Sequence, residues 1–110
     1  MALPPGSVWL IKRQGVPEPN HKIRVTEVPD EVTFKAEYVD VPGNNSVFTG
    51  ELWARESQII NIKQHDQNNG YVSFQTGLRK KSLFGEEYYE GSWYDVAGHH
   101  GGNFKLEPVS

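Results

Sequence analysis

The residues whose types suit recognition chemistry are aromatic. The chain has three tryptophans and five tyrosines in 110 residues. Trp53, Tyr89 and Trp93 each join a large flat apolar face to one polar atom, which suits stacking on a sugar, a heteroaromatic or another flat ligand. Gln64 continues the face of Ile60 and Ile62 towards a strand end. An inward amide there needs a partner and can orient a ligand's polar group. Tyr38 and His65 are further polar groups for such a cavity. The same aromatics also serve as ordinary core and girdle residues. Trp53 stands opposite Phe48, Leu52 and Ala54, so one of those two faces exposes an aromatic or lines a pocket.

His99-His100 sit between glycines. Neutral imidazole binds zinc, copper or nickel. Adjacent residues on extended chain point to opposite faces, so one ion does not readily take both. His21, His65 and Asp95 complete no established ligand spacing, and the segment reads as a Gly-rich turn with solvated histidines. No cofactor is expected.

Other chemistries leave little trace. Without cysteine there is no disulfide, thiol catalysis or Cys-ligated zinc. Ser73, Ser82 and Ser92 lack a nucleophile motif, Glu86-Glu87 reads as a charged loop, and Gly98 to Gly102 lacks the Lys-Ser/Thr of a phosphate loop. Catalysis by confinement alone, as in a cyclase or isomerase, leaves no motif. With 11 Lys and Arg against 14 Asp and Glu, the net charge of −3 gives no footprint for nucleic acid. Arg79-Lys80-Lys81 reads as a solvated basic loop over Leu78 to Gly85. No apolar run approaches the ~18 residues of a membrane span. No signal peptide is read at residues 1–7, so a cytoplasmic protein and no membrane partner are expected. Asn44-Asn45-Ser46 matches a glycosylation sequon and reads as a turn.

The elements that must position these residues are short alternating strands, broken every eight to twelve residues by turn chemistry. The spacing predicts strands over Ser7–Arg13, Lys22–Val28, Glu31–Val39, Ser46–Arg55, Gln58–His65, Tyr71–Thr76, Tyr88–Val96 and Asn103–Val109. Glu31–Val39 alternates best, with Val32, Phe34, Ala36 and Tyr38 on one face. Asn69-Gly70 suits a type I′ hairpin, which needs positive φ at both residues. Gly inside the fourth and seventh strands, at Gly50 and Gly91, marks bends of a small barrel. Residues 1–6 form an extended lead-in, and Gly15 to Asn20 a Pro-rich connection. The prediction is one all-β domain over residues 1–110, an eight-stranded antiparallel up-and-down meander barrel. The alternative is a two-sheet β-sandwich.

Gly6-Ser7-Val8-Trp9, followed by a meander ending in Asn103-Phe104-Lys105-Leu106, resembles a calycin-type barrel. That group includes lipocalins, fatty-acid-binding proteins and avidins. The resemblance covers nearly the whole chain and is architectural. It implies ligand capture in a barrel mouth. It also implies, from lipocalins, a late basic residue over the first-strand Trp, here Lys105. The chain departs from lipocalins in having Gly three rather than two positions before Trp9, and in lacking a final helix. It also lacks a two-helix lid. No biotin-contacting set maps onto it.

Three functions follow as expectations. The favoured one is a non-catalytic module that captures a small organic molecule or saccharide at an aromatic-lined mouth, using Trp53, Tyr89 or Trp93 with Gln64. The second is a small barrel enzyme using Tyr38, Gln64 or His65. The third is a domain that self-associates through its barrel walls.

Overall fold

A computed structural model describes residues 3–16 and 18–109. The first two residues of the expected lead-in, and Pro17 of the expected Pro-rich connection, lie outside the described residues. Eight strands follow one another: β1 (Val8–Arg13), β2 (Asn20–Glu27), β3 (Thr33–Tyr38), β4 (Ser46–Trp53), β5 (Ile59–Asp66), β6 (Val72–Lys81), β7 (Glu87–Asp95) and β8 (Gly101–Pro108). Each pairs antiparallel with the next, and β8 pairs with β1, so the sheet closes into an up-and-down barrel. Closure leaves no free edge, and the sandwich alternative does not form.

Alternation decides what is inside. Trp9 and Ile11 of β1, Ile23 and Val25 of β2, Phe34 and Ala36 of β3, and Phe48 and Leu52 of β4 are buried. Ile60 and Ile62 of β5, Tyr89 and Trp93 of β7, and Phe104 and Leu106 of β8 complete the core. Burying a large apolar side chain contributes about 1.5–3 kcal/mol, so this lining is the main source of stability. One end of the barrel is shut by apolar groups. There the lead-in turns rather than running extended: the Ser7 amide donates to the Pro4 carbonyl, and Leu3 is fully buried. Trp9 Nε1 donates to Ser7 Oγ at 3.0 Å, and Ser7 Oγ donates to the Pro4 carbonyl at 2.6 Å.

Glycine permits the strands to close so tightly. Gly77 and Gly91 face each other across β6 and β7. A Cβ on Gly91 would lie 1.9 Å from the Thr76 carbonyl oxygen. A Cβ on Gly50 would enter the space of the Phe34 ring, at 2.1 Å.

Three further local expectations need correction. Leu78 to Lys81 is strand, not a basic loop. Arg79 and Lys80 find cross-strand carboxylates, Glu87 at 3.7 Å and Glu90 at 2.9 Å, and these draw the hairpin out to Lys81. The Asn69-Gly70 hairpin is not type I′. Gly70 has φ of 75° while Asn69 is not among the residues of positive φ, and a longer turn forms by donation from the Gly70 amide to the Asp66 carbonyl. Lys105 does not cover Trp9. It faces outward over the Tyr88 ring at 4.5 Å and pairs with Glu107.

Candidate functional site

The other end of the barrel is polar and open. Strand direction brings the C-terminal ends of β1, β3, β5 and β7 to the same rim as the N-terminal ends of β2, β4, β6 and β8. At this rim the inward positions change character. Continuing the apolar faces stepwise, β1 places Arg13 after Ile11, β3 places Tyr38 after Ala36, and β5 places Gln64 and Asp66 after Ile62. A cavity of about 380 Å³ opens here, lined among others by Arg13, His21, Tyr38, Gln64, Tyr71 and Trp93.

Gln64 is the hub of the rim. Arg13 Nη1 and Ser73 Oγ both donate to its Oε1, at 2.5 and 3.0 Å. Its Nε2 donates to Tyr38 Oη at 3.1 Å and to Ser46 Oγ at 3.0 Å. Arg13 Nη2 also donates to Tyr38 Oη, at 2.6 Å. The amide therefore uses both ends, and its orientation is fixed by donors on one side and hydroxyls on the other. The guanidinium lies 5.6 Å from the Trp93 ring centroid, a cation–π arrangement. Trp93 is itself held by donation from Nε1 to the Gln14 carbonyl at 2.8 Å. Tyr38 meets Phe48 and His21 edge-on.

The network runs inward from Gln64 through Ser73 to Gln75, whose Nε2 donates to Ser73 Oγ at 2.8 Å. Gln75 is fully buried and its Oε1 has no hydrogen-bond partner among the described residues. A buried unpaired oxygen costs about 1–3 kcal/mol. Gln75→Met, of similar length and without the orphan, is expected to raise stability by about 1 kcal/mol in urea unfolding. A loss instead would show that a donor reaches Oε1 in solution.

Two buried carboxylates near the rim are engaged by their own loops. Asp66 accepts from the Asn68 amide at 2.9 Å. Asp95 accepts from the His99 amide at 2.9 Å and faces His100 Nδ1 at 3.0 Å. Burial acts to raise the Asp95 pKa, but the His100 ring and the amides of His99, His100 and Gly98 together outweigh it and hold the carboxyl below its usual range. The histidine pair thus ties down the β7–β8 loop. Among the described residues, no group of three or more His, Asp or Glu side chains is placed to hold a metal ion. The phenol of Tyr71 is pushed up, first by burial and then by Asp95, while Arg13 acts in the opposite direction.

The structure brings Tyr38, Gln64 and Trp93 together and separates the other two aromatic candidates from them. Tyr89 is buried towards the shut end, where its hydroxyl donates to the Ser57 carbonyl at 2.9 Å; burial there pushes its pKa up to about 12. Trp53 faces outward and is 47% exposed. His65 also points outward. Arg13, Ser46 and Tyr71 join the site without having been singled out from the sequence, and Ser73, considered there only as a nucleophile, joins it as a donor to Gln64. For Arg13 a signal existed, since Trp9, Ile11 and Arg13 share one face of β1.

The outer wall has an apolar side of its own. Trp53 pairs with Ile59 and Ile59 with Leu78, so a row of three large apolar residues crosses β4, β5 and β6. Phe74 and Tyr94 pair beside it, with ring centroids 5.6 Å apart. No helix among the described residues is long and apolar enough to cross a membrane.

Comparison with known proteins found no matching family model, no matching curated protein and no matching solved structure. The eight-stranded closed barrel agrees with the calycin resemblance at the level of architecture.

Proposed function

We propose that the protein is a binding module that captures a small organic molecule in the open mouth of the barrel, in the manner that the calycin resemblance implies. The observation that carries this reading is the contrast between the two ends. One end is plugged by Leu3 and Trp9; the other holds a cavity of about 380 Å³ rimmed by a fixed aromatic ring and a hydrogen-bonded polar cluster. Ligand sites typically span about 300–1,000 Å³ and combine apolar walls with a few placed polar groups. Trp93 and Tyr38 supply the walls, and Arg13 with Gln64 the polar groups. Native mass spectrometry of protein purified gently from a rich expression host tests it. A retained small molecule, one per barrel and weakened by Trp93→Ala, is the expected result. A bare mass in every preparation contradicts tight capture.

A second reading, self-association through the barrel wall, is favoured by the Trp53–Ile59–Leu78 row. Leu78 is 55% exposed on a strand whose outward face carries Val72, Phe74 and Leu78. Sedimentation velocity at high concentration is expected to show a dimer that Leu78→Lys disperses. A monomer at all concentrations rules this reading out.

A further inference from the structure

The outer wall carries a cavity of its own, of about 620 Å³, which shares no lining residue with the mouth. Strand register gives its shape. Thr33, Glu51, Asn61 and Thr76 pair in turn from β3 to β6 and form one row of outward side chains. Two residues away along the strands, Lys35, Thr49, Lys63, Phe74 and Tyr94 pair in turn from β3 to β7 and form the other row. Between the rows lie Phe34, Gly50, Ile62 and Gln75. The side chains of Phe34, Ile62 and Gln75 are buried inside the barrel and Gly50 has none, so the floor is main chain. Strands stand about 4.8 Å apart and same-face residues about 7 Å apart, which makes this a slot about 19 Å long across five strands.

Its polar groups are set in complementary pairs. Thr76 Oγ1 donates to Asn61 Oδ1 at 3.1 Å. That bond spends the hydroxyl proton and orients the amide. The Nδ2 donors of Asn61 and the lone pairs of Thr76 Oγ1 have no partner among the described residues. A donor and an acceptor thus stand side by side, and two neighbouring sugar hydroxyls answer them, since each hydroxyl both gives and accepts. At the β6–β7 end of the slot the Phe74 and Tyr94 rings lie 5.6 Å apart at a tilt of 36°, and Tyr94 is 57% exposed. Such faces stack on the C–H face of a sugar ring.

Other occupants fit less well. An extended peptide docks by adding a strand to a sheet edge, and a closed barrel offers none. A nucleic acid needs a surplus of cations. Here Lys35 pairs with Glu27 at 3.4 Å, and Lys63 has Glu51 diagonally across β4 and β5, so the charges balance. We propose that the slot binds a neutral oligosaccharide, with one sugar ring on Tyr94 and Phe74 and the hydroxyls of the next sugars on Thr76 and Asn61.

The probes are glucose, cellohexaose, maltohexaose, xylohexaose, mannohexaose and chitohexaose, added to the full chain. The readout is the side-chain amide of Asn61 and the backbone amides of Phe74, Thr76 and Tyr94, recorded at two protein concentrations. At least one hexaose is expected to move these signals and to bind at least about tenfold more tightly than glucose, leaving Gln64 and Trp93 in place. Tyr94→Ala is expected to weaken that binding at least about tenfold, and Tyr94→Phe, which keeps the ring, to preserve it. Asn61→Leu is the second variant; it removes the donors and is expected to bring a similar loss with the fold intact. No shift with any hexaose, binding no tighter than that of glucose, or binding unchanged in folded Tyr94→Ala or Asn61→Leu overturns the proposal and leaves mouth capture standing. Shifts confined to Gln64 and Trp93 put the sugar in the mouth and overturn the outer slot. Signals of Phe74 and Tyr94 that move with protein concentration and not with sugar give this face to a second copy of the chain and overturn it as well.

Discussion

Gln64→Leu is expected to lower the free energy of unfolding by about 3 kcal/mol. The loss does not come from the side chain's own burial, since leucine is as apolar as the site allows. It comes from the groups left behind. Gln64 receives Arg13 and Ser73 and supplies Tyr38 and Ser46. Deleting the hub orphans a charged donor that is only 7% exposed, and each such unmet group costs about 1–3 kcal/mol. The hydroxyls of Ser46 and Ser73 can rotate and recover part of that, which keeps the total below the sum. Urea unfolding followed by tryptophan fluorescence measures it. A cost below about 1 kcal/mol would mean that water enters the mouth and replaces the amide.

The second large effect belongs to the wall. Gly91→Ala is expected to cost about 3 kcal/mol or to prevent barrel closure outright. Its Cβ would meet the Thr76 carbonyl oxygen at 1.9 Å and the Gly77 Cα at 2.7 Å, both backbone atoms of the neighbouring strand. A flexible side chain can move aside; a hydrogen-bonded strand in a closed barrel cannot do so without breaking register. Gly98→Ala is the control. Gly98 has φ of 76° and open space around it, so alanine there carries only the left-handed backbone penalty of about 1 kcal/mol. Equal destabilisation by the two substitutions in thermal unfolding would show that the close approach of β6 and β7 is not what makes glycine necessary.

The fold was legible because seven strands carry their apolar residues inward. Phe34 and Ala36 follow the alternation that the sequence displays, as do Ile60 and Ile62. β6 breaks it. Ser73, Gln75 and Gly77 point in, while Val72, Phe74 and Leu78 point out. Local pattern assigns such a strand the wrong way round, because facing is set by pairing with β5 and β7 and not by the strand's own residues. The inward polar set on β6 is explained by its partners, since Ser73 donates to Gln64 of β5 and accepts from Gln75. The same limit applies to the site. Gln64 could be placed at the mouth from the run Ile60, Ile62, Gln64, yet its partners Arg13, Tyr38, Ser46 and Ser73 come from four other strands. Trp53 and Tyr89 drew notice by residue type, which carries no information about which end of a barrel, or which side of its wall, a ring occupies.

The three tryptophans supply the most direct test of mouth capture, because each marks a different place: Trp9 the shut end, Trp53 the outer wall and Trp93 the rim. The measurement compares the three indole N–H resonances of gently purified protein with those of the same protein refolded from denaturant, which frees any retained small molecule. Capture at the mouth predicts that the Trp93 resonance moves between the two preparations while those of Trp9 and Trp53 stay in place. Movement confined to Trp53, or no change at Trp93, would contradict it.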